Sequence, residues 1–176
     1  MIMIDTAIRA SSNRSYSEYE LRSILETQYG ALPNLDKALD QTILYLKQHN
    51  IIHDKRLALH FAHHYAHKGN QFIINRLNLR KINPDCIQEA LLSIPKEKTR
   101  AWEETQKKLF QTSMHTMALG EKLNSIARFL SGRQFSEEVI HDTLDRLENT
   151  NACKLKPVND SNWNTVSRPK LNISNS

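Results

Sequence analysis

The sequence is poor in the residues that shape tight turns, with four glycines and five prolines among 176 residues. That scarcity argues against many short strands joined by β-turns, which draw on Gly and Pro. Cysteine occurs twice, at Cys86 and Cys153, and neither has a second cysteine nearby. No disulfide framework or zinc site follows from such spacing, and a reduced, cytoplasmic setting is expected. Long apolar runs are missing too. The opening MIMIDTAIRA meets Asp5 after four residues, too early for a secretory leader. No stretch approaches the ~20 apolar residues of a membrane span. Phosphate-binding glycine loops, a Gly-x-Ser-x-Gly elbow and a His-Glu-x-x-His helix do not occur. The chain is therefore expected to be no enzyme, with no catalytic residue, no metal and no cofactor.

Acid is scarce in one window. Between Ile51 and Lys81 stand Lys55, Arg56, Lys68, Arg76, Arg80 and Lys81 against the single acid Asp54. The window alone carries an excess equal to the whole chain's net charge of +5. A basic surface concentrated in this way points to a polyanionic or acidic partner.

What is abundant is helical. Leu, Ile, Lys, Glu and Ala recur at spacings of three and four, the period of an amphipathic helix. Three stretches then align with one another: ELRSILETQYGALPNLDKALDQTILYLK, QFIINRLNLRKINPDCIQEALLSI and KLNSIARFLSGRQFSEEVIHDTLDRL. Leu21, Ile73 and Ile126 form one equivalent set, and Leu25, Leu77 and Leu130 the next. After a connection, Leu39, Ile87 and Ile140 match, then Ile43, Leu91 and Leu144, then Leu46, Ile94 and Leu147. The first copy carries a four-residue insertion within TQYGALPN.

Each stretch reads as two short helices and a turn, with helix starts at Ser17-x-x-Glu20, Asn83-Pro84-Asp85 and Ser136-Glu137-Glu138. A further helical segment precedes each pair, over 4–10, 54–68 and 97–110. Helices this short cannot bury their apolar stripes alone, so neighbours must complete each unit. The expected fold is all-α: a tandem array of three three-helix repeats, elongated and curved. The repeats span 1–49, 50–95 and 96–149. Beyond them, 150–176 is rich in Asn and Ser, has no helical period, and is expected to be a flexible tail in which Trp163 stands alone.

Residues 60 to 67 read HFAHHYAH, half of the chain's eight histidines. His60 and His64 are four apart, as are His63 and His67, which suggests a metal site. At about 100° per residue, however, Leu57, Ala58, Phe61, Ala62 and Tyr65 share the core arc, while the histidines fall outward with Arg56. An i,i+4 pair supplies two ligands and no third is evident, so no functional metal site is expected. The face instead reads as a polar surface that gains charge as pH falls toward the ordinary imidazole value near ~6.5.

For phosphate contact the candidates are Lys68, Arg76, Arg80 and Lys81. Phe72 is assigned to the core, so no aromatic platform for single strands is expected. The two-helix units also suggest a helix-turn-helix reader, but only the middle copy is strongly basic.

The order of motifs resembles the RecX family, bacterial regulators of the RecA recombinase. AIRASSNRSYSEYELRSIL is similar to that family's entry, an apolar helix, an Arg, then Ser-x-x-Glu-Leu. YLKQHNIIHDKRLALHFAHHYAHKGNQFIINRLNLRKINPDCIQEAL resembles its basic helix, Lys-Gly turn and following helix. ARFLSGRQFSEEVIHDTL is similar to its closing Phe-Leu-x-x-Arg-Gly-Phe pattern. Together these span about residues 7 to 147. Where the family carries Gly in the turn before the third helix, this chain has Lys81 and Gln134. These two must then adopt a conformation that suits glycine. The histidine face is also not typical of the family, whose members tend to place Arg, Lys or other polar residues there.

The resemblance implies a regulator that binds RecA nucleoprotein filaments, inhibits their ATP hydrolysis and strand exchange, and so dampens recombination and the SOS response. It implies a monomer that meets DNA through or within the filament and has no membrane role. The face expected to bind is Arg56, His60, His64, Lys68, Arg76, Arg80 and Lys81. The alternative is a helical protein that binds DNA without RecA.

Overall fold

The computed structural model describes residues 2–111 and 116–154. Among the described residues there are nine helices and no strand. They are α1 Ile2–Asn13, α2 Glu18–Tyr29, α3 Leu35–Gln48, α4 Asp54–His64, α5 Asn70–Leu79, α6 Pro84–Leu92, α7 Glu97–Leu109, α8 Leu119–Gly132 and α9 Glu137–Lys154. The last helix runs into the stretch read as a tail. Residues 155–176, with Trp163, lie outside the described residues.

The helices pack in threes, α1–α3, α4–α6 and α7–α9. Each trio closes on its own apolar cluster, so the chain has three small cores rather than one. The leucine period dictates this. Leu21, Leu25, Leu39 and Leu46 are fully buried in the first cluster, Ile73 and Leu77 in the second, Ile126 and Leu130 in the third. On the third helix of each trio a small residue is also buried: Thr42, Ala90 and Thr143. It faces a first helix that buries small residues of its own, Ala7, Ala58 and Ala101. Without long side chains between them, two helix backbones approach closely. In the third bundle the buried stripe of α9 begins one position early, at Val139 rather than Ile140. Val139 and Thr143 are buried there, while Ile140 and Leu144 are half-buried at its edge.

The helix ends follow local chemistry. Ser17 caps α2 in a reciprocal box, its Oγ accepting the Glu20 N–H at 3.2 Å while Glu20 Oε2 accepts the Ser17 N–H at 2.9 Å. Asn83 caps α6 ahead of Pro84, its Oδ1 accepting the Asp85 N–H at 2.8 Å. His53 caps α4, with Nδ1 accepting the Arg56 N–H at 3.3 Å.

Three helices end alike. Asn50, Lys81 and Gln134 take left-handed φ of 53°, 54° and 60°. The apolar residue after each donates its N–H five residues back: Ile51 to Leu46, Ile82 to Leu77, Phe135 to Leu130. This is the Schellman closure, normally made with glycine. Replacing Lys81 or Gln134 by Gly removes the Cβ penalty of about 1–2 kcal/mol and restores part of it as unfolded-chain entropy. Each change is therefore expected to stabilise by up to about 1 kcal/mol. Denaturant midpoints that fall in both variants would contradict this.

Consecutive bundles meet through a joint made twice from equivalent parts. At the first, Ser17 Oγ donates to the Arg80 carbonyl at 2.7 Å, and Arg80 Nη2 donates to the Ser15 carbonyl at 2.5 Å. Asp54, the first residue of α4, accepts the N–H of Glu18, the first residue of α2, at 3.0 Å. At the second, the Gly69 N–H donates to the Arg133 carbonyl at 2.9 Å, and Arg133 Nη1 donates to the His67 carbonyl at 2.9 Å. Glu97, the first residue of α7, accepts the N–H of Asn70, the first residue of α5, at 2.9 Å. An arginine following the second helix of one bundle thus holds the loop of the bundle before it. A carboxylate opening one bundle caps a helix of the previous one.

Candidate binding face

The basic window folds into the middle bundle and its joints. Arg56, His60 and His64 are exposed along one line of α4, each four residues from the last. The imidazoles of His60 and His64 lie parallel, with centroids 6.4 Å apart. His63 is exposed on the same helix, its Nε2 3.3 Å from Ser93 Oγ. His67 is exposed as expected, but it is not on the helix. The helix closes at His64, and His67 sits in the turn that follows. The guanidinium of Arg100, on α7, donates to the Ala66 and Lys68 carbonyls of that turn. Burial, then the charges of Arg133 and Lys68, hold the His67 imidazole below its ordinary pKa, so it resists gaining charge as pH falls. Among the described residues, no three His, Cys, Asp or Glu side chains gather as a metal site.

Two adjoining clefts open where the first bundle meets the second. One, of about 350 Å³, takes Tyr16 and Ser15 from the first bundle and Arg56, His60, Phe61 and Arg80 from the second. The other, of about 300 Å³, is lined by Arg14, Glu20, Phe61, Tyr65, Phe72 and Arg76, with Leu79 and Arg80 at its edge. Phe61 and Arg80 belong to both. Phe61, Tyr65 and Phe72 form a continuous run, with centroids 4.4 Å and 5.3 Å apart. Lys68 and Arg76 each stand 5.5 Å from the Phe72 centroid, and Arg14 stands 5.3 Å from that of Tyr16.

The seven residues of the expected face therefore divide. Arg56 and His60 share the first cleft, and Arg76 stands in the second. Lys68 joins them through Phe72, and His64 through His60 and the edge of Tyr65, 4.7 Å away. Lys81 is exposed but apart, in a shallow depression with Asn75, Asn78 and Leu79. Arg80 is engaged in the joint. Its side chain is 17% exposed, and its Nη2 lies 2.7 Å from Glu20 Oε2. Sequence reasoning left out Arg14 and Tyr16, which come from the first bundle. It also left out the three rings, which the helical arc assigns to the core. All three pack against the core and are half-buried, open on one side.

No family model matches the chain, and no curated protein does. Solved structures do, among them two crystal structures of RecX proteins. One is a crystal structure of RecX from Lactobacillus salivarius, 17% identical, with a TM-score of 0.64 over 84% of this chain and 97% of that one. The other is a crystal structure of regulatory protein RecX, 18% identical, with a TM-score of 0.61 over 81% of this chain and 73% of that one. The chain has the RecX fold.

Within that RecX fold, Glu20 links the joint to the face. Burial raises its carboxyl pKa. The hydrogen bonds from Arg80 and the Ser17 N–H, with the charges of Arg80 and Arg14, outweigh burial and hold the pKa below its ordinary value. A carboxylate with a lower pKa when folded stabilises fully above its unfolded value, and that contribution fades as pH falls through the folded one. The first joint is accordingly expected to weaken in acid. In thermal melts, the deficit of Glu20→Gln against wild type at about pH 7 should shrink steadily as the pH is lowered below the ordinary glutamate value of about 4.3. A deficit unchanged across that range would contradict the assignment.

Proposed function

We propose that this chain is a member of the RecX family that binds RecA nucleoprotein filaments and lowers their ATP hydrolysis and strand exchange, restraining recombination and the SOS response. The observation that carries this reading is the RecX fold, which spans 84% of the chain and almost all of the Lactobacillus protein. The concentration of charge on the middle bundle supports it, because a filament of protein on DNA is a polyanion. In this reading the three bundles are repeats of one unit, divided near residues 49 and 95. The chain works as a monomer in the cytoplasm, where the chromosome lies. No described helix is long and apolar enough to cross a membrane.

The face proposed for contact is Arg56, His60, His64, Lys68 and Arg76, with Lys81 at its margin and Arg80 holding the two bundles that frame it. The joint decides how to test this. Reversing Arg80 would disturb the fold, so the informative variant is Arg56→Glu with Arg76→Glu, both exposed. That pair is expected to weaken cosedimentation with RecA–DNA filaments about tenfold or more while leaving the melting temperature within a few degrees. Filament binding unchanged by the double reversal would remove this face as the contact surface.

A further inference from the structure

We infer that the paired clefts between the first and second bundles bind single-stranded nucleic acid directly, stacking bases on the Tyr16 and Phe61–Tyr65–Phe72 rings while the surrounding cations hold phosphates. Three observations converge on that ligand. First, the rings are recessed in clefts of about 350 and 300 Å³. Such volumes lie at the small end of ordinary ligand pockets, about 300–1,000 Å³, and suit a flat ring system rather than a helix face. Second, cations are interleaved with the rings: Arg14 by Tyr16, Lys68 and Arg76 by Phe72, and Arg56 at the mouth of the first cleft. Third, among the described residues Glu20 is the one carboxylate lining either cleft, and Arg80 and Arg14 neutralise it, at 2.7 Å and 3.8 Å.

Alternation of aromatic faces and long basic side chains is how proteins hold a single strand without reading its sequence. A duplex keeps its base faces stacked and offers only groove edges, which recessed rings cannot reach. An acidic peptide would satisfy the cations and leave the rings without a partner.

The inference goes beyond filament regulation, because it requires no recombinase. Fluorescence anisotropy with the full chain alone tests it, using labelled oligothymidylate, an abasic strand of the same length, and a duplex. Oligothymidylate is expected to bind about tenfold more tightly than the abasic strand, the share that one or two stacked bases contribute. Phe72→Leu should lose about that factor on oligothymidylate and nothing on the abasic strand. Arg76→Gln should weaken both strands alike. Equal affinity for the oligothymidylate and abasic strands, a preference for duplex, or no binding would overturn the inference, and the strand comparison needs no variant to fold.

The two proposals can fail separately. A chain that binds the strand but leaves RecA untouched removes the regulator reading alone. A chain that regulates RecA but ignores free strands removes this one alone.

Discussion

Gly69→Ala is expected to separate the second and third bundles, at a cost of about 3 kcal/mol or more. The glycine is not there for backbone freedom, because its φ of −67° suits any residue. What matters is contact. A Cβ on Gly69 would sit 1.9 Å from the carbonyl oxygen of Gln134 and 2.4 Å from the Phe135 nitrogen, both backbone atoms. Gln134 is already fixed in a left-handed turn, and Phe135 is 5% exposed in the third core, so neither can yield without unpacking that bundle. The Gly69 hydrogen bond to Arg133 and the Asn70 bond to Glu97 would go with them. In a chain of about this size each kcal/mol moves the melting temperature by roughly 2–4 °C, so a fall near 10 °C is expected. Because three cores rather than one are at stake, the transition should also broaden or split. A melt within about 2 °C of wild type would show that the joint is not tight in solution.

Removal of Arg100 is expected to be as severe. Its side chain is buried, the residue being 3% exposed, and burial lowers its pKa. Rather than a carboxylate, it meets a ring of acceptors: the carbonyls of Pro95, Ala66 and Lys68 and the Oδ1 of Asn70. Two of those acceptors belong to the turn between α4 and α5 and a third, Asn70, opens α5, so one guanidinium holds the loop that delivers Gly69 to its contact. Arg100→Leu fills similar volume but leaves these acceptors shielded and unpaired, for an expected loss of about 3–5 kcal/mol in urea unfolding. Arg100→Lys is expected to recover little, since an ammonium cannot reproduce the planar fork. Near-complete rescue by Lys would mean that charge, not geometry, holds the turn.

Much of the fold is legible in the chain because it is written in local periods. The leucine spacing that aligns Leu21, Ile73 and Ile126 also places them at the centre of three cores, and the Arg-Lys-Ile and Arg-Gln-Phe turns announce left-handed closures. The repeat alignment even superposes Arg80 on Arg133, though a basic residue at a helix end reads more readily as solvated surface than as a joint. What makes it a joint lies far away in sequence. Glu20, the partner of Arg80, is 60 residues earlier, and no period links them. The turn after α4 has a distant partner as well. The residues are helical in pattern to Lys68, yet α4 closes at His64 and the carbonyls beyond it meet Arg100, more than thirty residues on.

The candidate site shows the same division. Its cations were visible as a charge excess. Its rings were not, because a helical wheel sorts Phe61 and Tyr65 into core or surface. In the fold they are both, packed on one edge and open on the other. Arg14 and Tyr16 come from the neighbouring bundle, so only the joint reveals that they belong there.

The most direct measurement is the rate of RecA ATP hydrolysis on single-stranded DNA, with this chain titrated from far below to above the amount that covers the strand. The account predicts that hydrolysis falls at substoichiometric amounts, as expected of a regulator that acts on filaments. It also predicts that the Arg56→Glu, Arg76→Glu chain needs about tenfold more protein for the same effect. Inhibition that begins only when the chain has saturated the DNA, or hydrolysis unchanged throughout, would contradict it.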